Sequence, residues 1–301
     1  MKVNIIYQTS DGPHGGGNQF LRALKQQFMN MGVYADPEEA DVFLFNSHQA
    51  IDKVQRAKRL YPNKKFVHRI DGPMRLYNKM SDVRDFTVYG ANDELADGTI
   101  FQSIYSRNAN LSLGLKASNI GTVIPNAVDP EVFNISPPIP RSNKIRLMSS
   151  TFSPNMRKGF HFYQFLDQNL DFTNIEYVFA GNSPVIFQNI QNLGCLNSIE
   201  LARELKKSSI YITASENDPC SNSLTEALSC GLPAVALRSG GHPEILLEAG
   251  EYFDSKEELL QKIELVASKI DFYRNKIKTH TIEEIAKRYL NFFRELCNEG
   301  N

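Results

Sequence analysis

Two carboxylates eight positions apart carry the clearest chemical signal in the sequence. Asp218 lies in a loop that follows the strand-like run Ile210–Thr213, and Glu226 lies in a helical pattern that begins near Ser223. The first N–H groups of a helix have no intrahelical acceptor, so they suit a phosphate. A carboxylate on either side of that helix start could accept hydrogen bonds from hydroxyl groups. The spacing therefore fits a ligand with a central pyrophosphate and a hydroxylated ring at each end, which describes a nucleotide sugar.

The same residues also have a purely structural interpretation. Ser223-Leu-Thr-Glu226 has the form of a capping box, in which the serine and the glutamate satisfy free N–H groups at a helix start. Glu226 could serve that purpose alone, without any ligand. The residues by themselves leave both interpretations open.

Two basic residues follow another strand pattern in the second half of the chain. Arg157 and Lys158 come after the run that ends near Met148, and an amphipathic helical pattern starts at Gly159. A lysine at a strand-to-helix turn can reach a diphosphate as a point charge, and a neighbouring arginine can bind it in a forked mode. Taken alone, the pair could equally be two solvated basic residues in a loop.

In the first half, the candidate residues stand where strand patterns end. Gly15-Gly16-Gly17 could bring backbone N–H groups close to an anion, although no later glycine follows at the spacing that the dinucleotide-binding pattern requires. His48, His68 and Asp71 also lie near strand ends, but a single histidine is more often structural than catalytic. His68 falls within its strand pattern, so Asp71 is expected nearer to the carboxyl edge of the sheet.

These candidates stand at the ends of strand patterns that alternate with helical patterns. Such alternation predicts an α/β architecture, with parallel sheets covered on both faces. A segment with four prolines, residues 129–141, separates two such series, and about 150 residues per domain also gives two domains for 301 residues. We therefore expect two doubly wound, Rossmann-like domains, residues 1–135 and 142–280. Their ligands are expected at the carboxyl ends of the strands, in a cleft between the domains.

Composition and charge exclude several classes of protein. The 33 basic and 34 acidic residues leave a formal net charge of −1, which is unlike a nucleic-acid binder. No apolar run approaches the ~20 residues that cross a bilayer, and the four cysteines show no metal or disulfide spacing. The chain has no Asp-x-Asp, HExxH or P-loop motif, so we expect no metal site. A reduced, cytoplasmic setting is the simplest interpretation.

Taken together and in order, the motifs resemble the GT-B glycosyltransferases of family 4, which are retaining and metal-independent. The resemblance covers nearly the whole chain, and its most specific part runs from Asp218 through Glu226 to Ala227-Leu-Ser-Cys-Gly231-Leu-Pro233. It implies the GT-B fold and a last helix, residues 281–301, that packs back on the first domain. The other motifs that carry it are Gly15-Gly16-Gly17, Ile124-Pro-Asn-Ala-Val-Asp129 with Phe133, Arg157-Lys158-Gly159, Phe179-Ala-Gly181-Asn182, Gly194 with Leu196, and Gly240-Gly241 with Glu244.

The resemblance implies a role for each matching residue. Asp218 would hold hydroxyl groups of the donor sugar, and Lys158 would neutralise the diphosphate leaving group. Glu226 would bind the ribose hydroxyls. In the first domain, His68 or Asp71 would take the place of the family's catalytic histidine. The remaining donor-binding residues would be Gly16, Gly17, Arg157, Gly181, Leu196 beside the base, and the helix start at Asn222, Ser223 and Leu224.

The sequence also departs from the family pattern. The family usually has glutamate where Asp218 stands, and Gly-Phe-Gly where this chain has Pro219-Cys220-Ser221. Phe152 and Ser153 stand where the family has an arginine before the lysine, a loss for which Arg157 could compensate. A shorter carboxylate and an altered loop could change the sugar site.

The expected function is transfer of a sugar from a UDP- or GDP-linked donor to a hydroxyl acceptor, with retention at the anomeric carbon and without a metal or further cofactor. The acceptor could be a glycan, a lipid-linked molecule or a small molecule. A nucleotide-sugar epimerase of the same fold and a degenerate nucleotide-sugar-binding protein are the alternatives, whereas the glycine spacing argues against a Rossmann dehydrogenase. A basic stretch could contact the inner face of a membrane or be a solvated helix face: Lys53, Arg56, Lys58, Arg59, Lys64 and Lys65.

Overall fold

The computed structural model describes residues 1–7, 16–116, 120–136 and 144–298, with only the backbone of Gly16. The described residues form two compact units. The first contains residues 1–7, 18–116, 120–126 and 280–298, and the second contains residues 16–17, 127–136 and 144–279. Gly15 and the later prolines of the expected linker, Pro137, Pro138 and Pro140, lie outside the described residues.

The chain enters the second unit at residue 127, earlier than the boundary at 135 expected from the sequence. Val128, Val132 and Phe133 precede most of the prolines, yet they pack against the core of the second unit. Phe133 is only 4% exposed there. Proline content marks a segment without regular structure, but it does not show which core the neighbouring apolar residues join.

The first unit is built on a parallel sheet. Its strands are β1 (Val3–Ile6), β2 (Val42–Asn46), β3 (Lys65–Ile70), β4 (Gly98–Phe101) and β5 (Ile120–Val123), and they lie side by side in that order. Its connecting helices are α1 (Gly16–Asn30), α2 (Ile51–Leu60), α3 (Met74–Tyr77), α4 (Arg84–Leu95) and α5 (Ile104–Ser112).

A single bridge makes this unit doubly wound. Val3 pairs with Val42 of β2 and also forms a parallel bridge with Tyr34. A strand residue can pair with one residue on each side, so Tyr34 lies beside β1 on the side opposite to β2. After α1 the chain therefore pairs with one side of β1, and it then crosses to the other side, where β2 to β5 follow. Because parallel crossovers are right-handed, the helices before and after this reversal cover opposite faces.

The second unit has the strand order of dinucleotide-binding folds. Its strands are β6 (Ile145–Thr151), β7 (Ile175–Gly181), β8 (Gln191–Asn192), β9 (Ile210–Thr213), β10 (Ala234–Leu237) and β11 (Gly250–Phe253). Its helices are α6 (Phe160–Asn169), α7 (Ser198–Lys207), α8 (Asn222–Ser229), α9 (His242–Leu246), α10 (Lys256–Ser268) and α11 (Ile270–Arg274). The parallel order is β11-β10-β9-β6-β7-β8. The direction of winding therefore reverses between β6 and β9, and ligands bind at such a switch point.

The C-terminal helix α12 (Ile282–Asn298) belongs to the first unit. The ring of Tyr289 lies 6.2 Å from that of Phe20 in α1, centroid to centroid. A Cβ added to Gly98 of β4 would stand 3.1 Å from the ring of Phe292, so the helix lies directly on the sheet. The chain thus returns to the first unit, as the sequence resemblance implies. Neither α12 nor any other helix in the described ranges is long and apolar enough to span a bilayer.

Candidate functional site

Loops from three neighbouring strands meet at the switch point of the second sheet. The loop after β6 ends in a 3-10 turn, Met156–Lys158. The loop after β9 carries Asp218, and the loop after β10 carries Gly240. Backbone N–H groups join these loops: that of Glu216 donates to the Arg157 carbonyl (2.8 Å), that of Asn217 to Ser239 Oγ (2.9 Å), and that of Gly241 to the Asp218 carbonyl (2.8 Å).

The structure brings Lys158 and Asp218 together as an ion pair. Lys158 Nζ lies 2.9 Å from Asp218 Oδ2, and the two side chains are 22% and 13% exposed. Burial on its own would raise the pKa of Asp218, but the Lys158 ammonium, with help from His242, outweighs burial and lowers that pKa. The carboxylate is therefore charged at neutral pH. A phosphate bound at this switch point would compete with Asp218 for the same ammonium group.

Two glycines allow the loops to approach so closely. Gly159 follows the 3-10 turn with φ +89°, and a Cβ there would lie 2.3 Å from the Cβ of Ala214 at the end of β9. Gly240 has φ +61°, and its Cβ would lie 2.3 Å from the Asp218 carbonyl oxygen. Both positions require left-handed backbone that side-chain-bearing residues rarely adopt. The position of Asp218 thus depends on Gly240.

Replacing Gly240 with alanine should therefore displace the Asp218 loop. We expect Gly240→Ala to lower the free energy of unfolding by about 1–3 kcal/mol, because alanine would be strained at this φ and would clash with backbone. Urea unfolding measures this change. Gly90→Ala is the matched control: it lies inside α4 with open space around its Cβ, and it should raise stability by about 0.5–1 kcal/mol. Equal effects at the two positions would contradict the proposed close approach.

The structure shows that the capping-box interpretation of Glu226 is wrong. Helix α8 begins at Asn222, and its N-cap is Ser221, whose Oγ accepts a hydrogen bond from the N–H of Leu224. Glu226 is therefore the fifth residue of the helix, whereas a capping box needs glutamate at the third. Asn222, Ser223 and Leu224 form the first turn, next to the Asp218 loop.

Glu226 is instead a buried acid. It is 6% exposed, and no hydrogen bond or ion pair to its carboxyl group occurs among the described residues. Burial raises its pKa to about 8. Buried polar groups are normally hydrogen-bonded, so an acid left unpaired beside a helix start is a group that ligand hydroxyls could satisfy.

The remaining residues predicted to bind a donor lie near the ends of β7 and β8 and at the start of α1. Gly181 ends β7 with φ +126°, and a Cβ there would meet the Thr151 carbonyl oxygen at 1.8 Å, so this glycine is required by strand packing itself. Its N–H donates to the Gly194 carbonyl (2.7 Å), and Leu196 follows, half-buried against the core. Gly16 begins α1, and Gly17 has open space at its Cβ position.

His68 does not lie at the edge of the first sheet. It is fully buried in β3, with Nε2 2.9 Å from the Ser47 carbonyl and Nδ1 3.4 Å from the Asn92 amide, and its ring stacks on Phe45. Burial lowers its pKa to about 3, so the ring is neutral. Nε2–H then donates to Ser47, and Nδ1 accepts from Asn92. With both nitrogens satisfied, His68 is a structural histidine, and the expectation that it contacts a sugar needs correction.

Asp71 is held at the carboxyl edge of the first sheet by a buried arginine. The Asp71 carboxylate accepts hydrogen bonds from Arg69 (3.1 Å) and from the Gln102 amide. Arg69 is fully buried and also donates to the side-chain oxygens of Asn46, the last residue of β2, and Asn126, which lies after β5. Arg69 was not among the residues predicted to form a site. Its only signal was a charged residue inside an otherwise apolar strand pattern.

His48 and Asp71 come close enough in the first unit to interact electrostatically. His48 follows β2 in a loop where Ser47 and Ala50 have φ values of +50° and +52°. Burial and the nearby Arg84 lower its pKa, while Asp71 opposes this effect. Left-handed backbone at residues with side chains often accompanies functional loops. This loop is therefore a better place than His68 to look for a ligand contact.

Comparison with known protein families identifies the second unit. Residues 157–269, which include Lys158, Asp218 and Glu226, match the family model described as Glycosyl transferases group 1. The second unit contains a group 1 glycosyltransferase domain. The match begins at Arg157 in the 3-10 turn and ends after α10, so it includes Lys158 and the loops that follow β9 and β10.

Curated relatives resemble the glycosyltransferase domain over part of their length. The gpi3 subunit of phosphatidylinositol N-acetylglucosaminyltransferase from Schizosaccharomyces pombe is 25% identical over 149 residues, which are 42% of this chain and 33% of that protein. A human protein that is named as part of the same enzyme is 28% identical over 143 residues, 43% of this chain and 29% of that protein. The match thus spans about a third of each relative.

Solved structures match the whole chain. Sucrose-phosphate synthase from Thermosynechococcus elongatus superposes with a TM-score of 0.78 at 13% identity, and 99% of each chain is covered. Anabaena HepE, solved in complex with UDP-glucose, gives a TM-score of 0.70 at 15% identity, again with 99% of each chain covered. At such identities the likeness concerns the fold. The chain that carries the glycosyltransferase domain has the GT-B fold, as its sequence motifs predicted.

Proposed function

We propose that this protein is a retaining, metal-independent glycosyltransferase that moves a sugar from a UDP- or GDP-linked donor to a hydroxyl acceptor. The observation that carries the proposal is Glu226, a buried acid beside the start of α8 whose carboxyl group has no partner in the part of the chain that the structure describes. The Lys158–Asp218 pair at the same switch point adds a cation for a diphosphate and a carboxylate for sugar hydroxyls. Together these groups match the three parts of a nucleotide sugar.

The difficult step in such a transfer is departure of the diphosphate, because negative charge develops on it. Lys158 and the N–H groups at the start of α8 would stabilise that charge in place of a metal ion. Arg157, adjacent to Lys158, would add a second cation. Asp218 would orient the sugar hydroxyls, and Leu196 would pack against the base. The product of this mechanism keeps the anomeric configuration of the donor.

The acceptor would be bound by the first unit, with Asp71 as the proposed catalytic residue there. The basic helix α2 would add a weak peripheral contact with an anionic membrane on its cytoplasmic side, as a lipid-linked acceptor would require. Lys53, Arg56 and Arg59 are exposed on it, whereas Lys58 pairs with Asp97 at 2.9 Å. Three of the four basic residues on α2 are therefore exposed, and the charge of the fourth is balanced by Asp97.

A thermal-shift screen tests the donor class. UDP-glucose, UDP-N-acetylglucosamine, GDP-mannose and the free nucleoside diphosphates are compared with and without EDTA. A ligand at 100 times its Kd stabilises a protein by about 2.7 kcal/mol, so the true donor should raise Tm by several degrees. The shift in Tm should be the same with and without EDTA, because no metal ion is needed. No shift with any nucleotide would overturn the proposal.

Product analysis then separates the possible activities. NMR of the first product formed should show the same anomeric configuration as the donor. Inversion would contradict the retaining mechanism. Conversion of the donor to another sugar without an acceptor would indicate an epimerase, and binding without hydrolysis or transfer would indicate a degenerate binding protein.

A further inference from the structure

A buried histidine at the switch point has a ring nitrogen that the fold does not use. His242 begins α9 and is fully buried. Its Nδ1 lies 2.8 Å from the Leu237 carbonyl oxygen. A carbonyl oxygen can only accept, so Nδ1 carries the proton and Nε2 of the neutral ring is an acceptor. That Nε2 is buried and has no hydrogen-bond partner in the described part of the chain.

The groups around His242 are those of the proposed donor site. Gly241, the residue before it, donates its N–H to the Asp218 carbonyl at 2.8 Å. Burial has the largest effect on the His242 imidazole and lowers its pKa. Two charged groups also act on the ring: Asp218 favours the protonated form, and Lys158 opposes it. The other acids on the adjoining helices are Glu226 of α8 and Glu244 of α9 itself.

The Lys158–Asp218 pair must change when a diphosphate binds. Lys158 Nζ has Asp218 as its partner at 2.9 Å, and a diphosphate would draw the ammonium away. Asp218 would then be a carboxylate, 13% exposed, without its cation. A charge left unpaired at a buried site is unfavourable and needs another partner.

We propose that His242 is a positioning residue that replaces Lys158 as the counter-charge of Asp218 when a diphosphate engages Lys158, by taking one proton from solvent onto Nε2. This inference rests on the proposed function, because it requires a diphosphate at Lys158. The protonated ring keeps its Nδ1–H bond to Leu237, and its positive charge interacts electrostatically with the Asp218 carboxylate. Asp218 thereby stays ionised and continues to accept hydrogen bonds from sugar hydroxyls.

Histidine titration by ¹⁵N NMR tests the exchange without any ligand. Lys158→Met removes the ammonium, as a diphosphate would, and we expect the His242 midpoint to rise by about 1–3 pH units. In Lys158→Met combined with Asp218→Asn, the midpoint should return to the wild-type value or below. Lys262→Met is the matched control, because it breaks a 2.8 Å ion pair with Glu251 in the same unit. Lys158→Gln repeats the test with a polar side chain in case the methionine variant does not fold. An unchanged His242 midpoint in a folded Lys158 variant overturns the proposal.

Calorimetry tests the same exchange during ligand binding. UDP-glucose is titrated at pH 7 in buffers of different ionisation enthalpy, because its diphosphate has no group that titrates near neutral pH. We expect wild type to take up a fraction of a proton more than His242→Gln when UDP-glucose binds. With uridine, which has the ribose but no diphosphate, the two proteins should exchange equal amounts. Equal uptake by wild type and His242→Gln overturns the inference. Absence of binding by any nucleotide sugar counts against the proposed function instead, and the NMR titration still decides the role of His242.

Discussion

Replacing Lys158 with alanine should slow sugar transfer about 100- to 1000-fold at saturating donor, the usual cost of removing one group that stabilises developing negative charge. The effect should fall mainly on kcat, because the diphosphate carries more negative charge in the transition state than in the bound donor. Initial rates with the donor found in the screen measure it. Where the acceptor is not yet in hand, the slower hydrolysis of the same donor serves as the readout.

The control for this prediction must also remove a lysine ion pair. Lys262→Ala breaks the pair with Glu251 but lies away from the loops at the switch point, so transfer should keep its wild-type rate. Melting curves of both variants establish that they are folded. A folded Lys158→Ala protein that transfers at the wild-type rate would remove Lys158 from the mechanism.

Replacing Glu226 with glutamine should change how stability depends on pH. Burial raises the pKa of Glu226 from 4.5 to about 8 in the folded protein. Between pH 4.5 and about 8, the folded protein therefore keeps a proton on Glu226 that the unfolded chain has already released. The contribution of the acid to stability is fully present below pH 4.5 and is lost as pH rises through 8. The total loss is on the order of 5 kcal/mol, from about 1.4 kcal/mol per pH unit over this interval.

Glutamine cannot ionise, so Glu226→Gln should escape this loss. The two proteins should have similar free energies of unfolding at pH 4.5, and the variant should become progressively more stable than wild type towards pH 9. Urea unfolding at pH 4.5, 7 and 9 measures the difference. Glu264→Gln, an exposed position on α10, is the control and should show no such trend. A constant difference across this range would mean that Glu226 is not a buried, unpaired acid.

Local pattern was enough to predict the strands with strong apolar runs. The predicted run Ile210–Thr213 has the limits of β9 in the structure, and the apolar runs of β3, β4 and β10 are visible in the sequence in the same way. Strand β11 and the two-residue β8 were not predicted, because their residues become strands only by pairing with β10 and β7. Polar residues at these edge positions give no alternating or continuous apolar signal.

The site was predictable in its residues but not in its pairings. Asp218, Glu226 and Lys158 were identified from strand ends and a helix start, which local sequence encodes. The contact between Lys158 and Asp218 joins residues sixty positions apart, and it follows from the strand order that sets β6 beside β9. The free nitrogen of His242 and the network of Arg69 depend in the same way on tertiary neighbours. A motif therefore shows which side chains are present, whereas the fold decides which of them satisfy one another.

The position of α12 has a consequence for the order in which the protein takes shape during synthesis. Residues 127–136 and 144–279 hold the contacts of the second unit, so that unit has its parts once residue 279 has left the ribosome. The first unit begins at residue 1 but needs Tyr289, Phe292 and Phe293 to complete its core. Domains usually fold from the N-terminus as the chain emerges. In this chain, the first unit begins to be synthesised before the second, but it completes its core only after α12 has been made.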